Sequence, residues 1–82
     1  MLSQDEILER VRATLRELFK LEPAKVTLDA RLNEDLEIDS IDVVDLMDEV
    51  RQFVGRKVTA EDFRSVRTVG DLVVVIDRLQ RH

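Results

Sequence analysis

One serine hydroxyl, Ser40, lies within the densest run of carboxylates in the chain: Asp35, Glu37 and Asp39 precede it, and Asp42, Asp45 and Asp48 follow. In such surroundings a serine can attack a substrate, cap a helix by accepting a free backbone amide, or serve as the hydroxyl that another enzyme modifies. The first role needs a general base of the His or Lys type. The only histidine is His82 at the carboxyl end, and no lysine stands between Lys25 and Lys57. Without cysteine, and with that single terminal imidazole, the chain has no raw material for Cys/His metal cages or for His-based nucleophilic catalysis. Carboxylates alone do not make an active site, so an enzyme is the least favoured class.

The same acids suggest cation binding. Asp35, Glu37 and Asp39 fall on positions one, three and five of an EF-hand register. The register then fails. Ser40 replaces the turn-making Gly, Asp42 replaces an apolar residue, and Leu46 stands where a bidentate Glu is required. No metal site is expected.

Charge is distributed unevenly. The net charge is −5, yet residues 29–49 hold nine acids against Arg31 alone, a local balance of −8, whereas residues 50–82 carry a balance of +3. Such a field disfavours nucleic acid and favours partners with basic patches. The chain has 82 residues, 44% of them hydrophobic, which is enough for one modest core and predicts a single domain over 1–82 with little room for a deep cleft. Its longest apolar run, Leu72 to Ile76, is too short to span a bilayer, and the first residues do not read as a signal peptide. A cytoplasmic, monomeric protein without membrane insertion is expected.

The elements that must position Ser40 are legible from periodicity and caps. Ser3 with Glu6 forms a capping-box spacing, and Ile7, Leu8, Val11, Leu15 and Leu18 make one helical stripe ending near Lys20. Pro23 ends any continuation. From Glu22 to Ile38 a long ordered loop is expected, pinned by Val26, Leu28, Leu32, Leu36 and Ile38. A second helix begins at Asp39 or Ser40 and runs to about Val54, where Gly55 stops it. Val43, Leu46, Met47, Val50 and Val54 face the core, with Phe53 at the margin. Thr59 with Asp62 starts a short helix through Phe63, and Thr68 with Asp71 starts a last helix carrying Val69, Leu72, Val73, Ile76 and Leu79. Val73 to Val75 would suit a strand, but no second strand exists to pair with it. The fold class is therefore all-α: a bundle of three long helices plus one short helix, with a long ordered loop between the first two.

Taken alone, Ser40 at a loop-to-helix junction is a cap. The stretch Asp35-Leu36-Glu37-Ile38-Asp39-Ser40-Ile41-Asp42-Val43-Val44-Asp45-Leu46 resembles the phosphopantetheine attachment signature of acyl carrier proteins, whose core is Asp-Ser-Leu followed by an acidic, apolar helix. Ile41 replaces the usual Leu. The resemblance continues through Gly55, Glu61-Asp62-Phe63 and Thr68-Val69-Gly70-Asp71, nearly the whole chain. It implies an acyl-carrier-like bundle bearing a 4'-phosphopantetheine arm on Ser40. A phosphopantetheinyl transferase takes that arm from coenzyme A, with magnesium in the transferase site, and Asp39 helps position the transferase's substrate and metal. The arm's thiol holds acyl groups as thioesters, a chemistry that a chain without cysteine must borrow.

The resemblance also implies partners: acyl-transferring, condensing and tailoring enzymes with basic patches, in fatty-acid or specialised biosynthesis. On the second helix Ile41, Asp42, Val44, Asp45 and Asp48 lie between about 100° and 260° from Val43, away from the core. Ile41 and Val44 are expected to enter shallow pockets while Asp42 and Asp45 meet basic rims. Asp48, where fatty-acid carriers usually present an apolar contact, would put an unpaired carboxylate into an apolar pocket and so reject the wrong enzymes. Arg51, Arg56 and Lys57 also depart from that type, and the combination of Ser40-Ile41-Asp42 with Glu61 to Val69 resembles carriers of specialised bacterial pathways, of the aryl-polyene or polyketide kind. The alternative is a helical protein-interaction adaptor that uses the same acidic face, with no prosthetic group.

Overall fold

The computed structural model describes residues 2–81; His82, the chain's one imidazole, lies outside them with Met1. Three α-helices follow one another: α1 (Gln4–Phe19), α2 (Ser40–Val54) and α3 (Val69–Gln80). Two 3-10 turns join them, Pro23–Lys25 after α1 and Ala60–Phe63 before α3. The architecture is the all-α bundle expected, with two local differences. The short helix through Phe63 is a 3-10 turn, and the long loop contains another, opened by Pro23 at a position where its missing N–H leaves no bond unmade.

Each helix start is set locally. Ser3 with Glu6, Asp39 with Asp42, Thr59 with Asp62 and Thr68 with Asp71 all form reciprocal capping boxes. Gly55 ends α2 at φ 71°, in the left-handed region that glycine enters without steric cost.

The core is built from Ile7, Val11 and Leu15 of α1, Leu46 and Val50 of α2, and Val69, Leu72, Val73 and Ile76 of α3. Phe63, Val26, Ala30, Leu32, Leu36 and Ile38 close it from the turns and the long loop. Leu8, Val43, Met47 and Val54, expected on core faces, lie at its edge and are partly buried, and Phe53 lies there as expected. α1 and α3 make the most extensive helix–helix contact. Their ends are clasped by the Gln80 amide, which accepts from Leu2 N at 3.1 Å and donates to Leu2 O at 2.7 Å.

Leu28 corrects the loop reading, because its side chain is 51% exposed. Its backbone does the pinning instead. Gly70 N donates to Leu28 O, Val69 N to Ala30 O and Leu32 N to Arg67 O, each at 2.9 Å, a short ladder around an antiparallel bridge between Arg31 and Thr68. Gly70 permits this approach: a Cβ there would stand 3.1 Å from Leu28 O. The long loop is thus sewn to the start of α3, and this fixes where the chain enters α2.

Candidate functional site

The acidic stretch folds into a loop that hands the chain to α2. Ile38 N donates to Leu32 O at 2.8 Å, Asn33 Nδ2 donates to Ile38 O at 3.3 Å, and buried Leu36 and Ile38 anchor the segment. Between them Glu37 has φ 56°, a left-handed conformation unusual for a residue with a side chain. Arg31 gathers two of the acids, meeting Glu34 at 2.6 Å and Asp35 at 3.2 Å. Hydrogen bonds from the Arg31 backbone N–H and then its guanidinium hold the Asp35 carboxyl below the usual carboxylate range.

Asp39, not Ser40, caps α2. Its Oδ1 accepts from Ile41 N and Asp42 N, each at 3.0 Å, and Asp42 Oδ2 accepts from Asp39 N at 3.4 Å. A carboxylate one residue earlier satisfies the free amides, so the capping role that a serine here would take is already filled. Ser40 becomes the first residue of the helix, exposed, and among the described residues its hydroxyl has no hydrogen-bond partner. The hydroxyl is left available to chemistry from outside.

Beside it runs a groove of about 470 Å³, lined among others by Arg31, Asn33, Ser40, Val43, Val66 and Arg67. The groove joins the start of α2 to the segment before α3. An exposed, unengaged hydroxyl opening onto a groove with both apolar and polar walls fits a covalently attached, extended, amide-containing arm. Asn33, Val66 and Arg67 escaped the sequence reading, because they reach Ser40 only through the fold.

The outward face of α2 lies where helical geometry places it. Ile41 is 76% and Val44 63% exposed, with Asp45 and Asp48 exposed beside them and Asp42 half-buried in its capping box. Asp48 is not the unpaired carboxylate expected: Arg51 Nη2 lies 2.9 Å from its Oδ1. The three-residue spacing was the available signal. Among the described residues no group of three or more His, Cys, Asp or Glu side chains is placed to hold a metal ion, and no helix is long and apolar enough to cross a membrane.

Comparison with known proteins agrees with this geometry. The family model described as the phosphopantetheine attachment site matches residues 9–76. "Acyl carrier protein 2" of Ralstonia nicotianae is 45% identical, with 95% of this chain and 96% of that protein aligned. The acyl carrier protein of Thermotoga maritima is 36% identical over the same shares of the two chains. The meromycolate extension acyl carrier protein of Mycolicibacterium aurum is 35% identical, covering 95% of this chain and 80% of that one. The chain belongs to this family of acyl carrier proteins, which hold acyl groups as thioesters on a covalent 4'-phosphopantetheine arm.

Proposed function

We propose that Ser40 is the hydroxyl that receives the phosphopantetheine arm, and that the chain serves as a single carrier domain over 1–82 and catalyses nothing itself. The observation that supports this most directly is the division of labour at the start of α2: Asp39 takes the amides, and the Ser40 hydroxyl stays exposed and unengaged. Attachment breaks the Oγ–H bond and the pyrophosphate P–O bond of coenzyme A, forms an Oγ–phosphorus bond and releases the nucleotide phosphate as the leaving group. Among the described residues no imidazole or amine lines the groove beside Ser40, and Ser40 relies on the transferase to accept the proton. Asp39, fixed by hydrogen bonds from two amides to Oδ1, keeps Oδ2 for the transferase. Once attached, the arm supplies the thiol that the chain lacks.

Partner enzymes with basic patches dock on Ile41, Val44, Asp42, Asp45 and Asp48, in fatty-acid biosynthesis or a specialised pathway such as polyketide or aryl-polyene assembly. The relatives from Mycolicibacterium aurum and Mycobacterium leprae, named for meromycolate extension, support a specialised pathway. Because Asp48 is paired with Arg51, it discriminates by bringing a neutralised but hydrated ion pair to the interface, which an apolar pocket would have to desolvate. The carrier acts as a cytoplasmic monomer.

The test is intact mass after incubation with coenzyme A, magnesium and a broad-specificity transferase. One phosphopantetheine should be added to the wild type and none to Ser40→Ala. If several such transferases leave the wild type unmodified, or if Ser40→Ala is still modified, the assignment fails.

A further inference from the structure

We infer that Arg67 is the positioning residue for the arm's phosphodiester, holding the root of the arm in the groove between α2 and the segment before α3. This rests on Ser40 being the attachment point. A phosphodiester on Ser40 Oγ brings a negative charge to a place that is already negative, between the Asp39 and Asp42 carboxylates. Helix starts often neutralise phosphate with free amides, but here the Ile41 and Asp42 amides are both taken by Asp39 Oδ1. Beyond the Ser40 amide itself, the compensating charge comes from across the groove.

Two arginines line that groove, Arg31 and Arg67. Arg31 is committed to Glu34 and Asp35. Arg67 forms no ion pair among the described residues, and a carboxylate that feels its charge, Asp71, is engaged by the backbone amides of Arg67 and Thr68. The Arg67 backbone is fixed on both sides, its N–H on Asp71 and its carbonyl accepting from Leu32 N, so the side chain springs from a rigid point of the groove that Ser40 also lines. Its planar fork suits two phosphate oxygens, whereas a lysine would act only as a point charge. Arg67 therefore draws the arm's first atoms toward the apolar wall of Val43 and Val66 instead of leaving them over the acidic face that partners approach.

The experiment is a thermodynamic cycle over two states, apo and phosphopantetheinylated, and two sequences, wild type and Arg67→Gln, with intact mass confirming the state of each sample. At low ionic strength, Arg67→Gln should lower the melting temperature of the modified protein by about 2–4 °C more than that of the apo protein, and the excess should vanish in about 1 M salt. The 31P resonance of the modified protein should move on the same substitution. Arg67→Lys should recover the melting temperature in part but not the 31P position. Arg51→Gln, which opens the exposed pair with Asp48, should affect both states equally. Equal losses in apo and modified Arg67→Gln, with an unmoved 31P resonance, would overturn the inference while leaving Ser40 as the attachment site. Failure of the wild type to be modified at Ser40 would overturn both.

Discussion

In α3 every apolar residue except Val74 is buried, whereas in α2 only Leu46 and Val50 are. Ile41 and Val44 stand in solvent, and Val43, Met47, Phe53 and Val54 line the rim of the core. The two helices are comparably apolar and comparably long, so composition does not explain the contrast. α3 packs closely along α1, is clasped to it through Gln80 and, with the segment just before it, is sewn to the long loop by three backbone bonds. α2 meets both other helices less extensively and leaves a whole side free. One helix holds the fold together and the other carries Ser40 and an open face, which can change without endangering the core.

The strongest way to break that comparison is to truncate one apolar side chain on each helix. Leu72→Ala, at a fully buried position, should cost about 2–5 kcal/mol of unfolding free energy, and Val44→Ala, largely exposed, should stay within about 0.5 kcal/mol. Denaturant titration of both reads the difference. Similar losses would mean that the outward face of α2 carries the fold, and the division of roles would be wrong.

The start of α3 sharpens it further. Hydrogen bonds from the Arg67 and Thr68 amides hold the Asp71 carboxyl below the ordinary carboxylate range. A folded-state value below the unfolded one means that this stability is present above about pH 4 and is lost as pH falls through the folded value. Asp71→Asn should therefore cost up to about 1 kcal/mol at pH 7, with solvent exposure keeping it small, and the gap to wild type should close in acid. A gap of constant size down to pH 2 would remove the charge from the explanation.

The smallest effect belongs to the loop before Ser40, where Glu37 occupies the left-handed region. Glycine there would relieve about 1–2 kcal/mol of steric cost and lose about 0.5–1 kcal/mol to the extra freedom of the unfolded chain. Glu37→Gly should thus raise stability by roughly 0.5 kcal/mol, an unusual direction for a glycine substitution. If it destabilises, the left-handed turn is held by something other than the backbone geometry described.

Much of this molecule is determined over spans of four residues, and such spans can be read directly. All four capping boxes pair residues three apart, so Ser3, Asp39, Thr59 and Thr68 mark their helix starts whatever the rest of the chain does. The attachment signature around Ser40 and the outward angles of Ile41 and Val44 are local in the same sense. The cap was legible in kind yet misassignable by one position: Asp39 and Ser40 are both good caps, and only the observed bonds show the carboxylate in use. What tertiary structure alone decided is everything that joins distant segments. Leu28 looks like a core residue in sequence, but the backbone ladder to Val69 and Gly70 holds the loop there and turns the side chain outward. Arg67 looks like one charge in a basic stretch and becomes a wall of the groove beside Ser40. Contacts of that kind depend on backbone groups common to all residues and on how three helices close over one core, and neither leaves a mark in the order of the side chains.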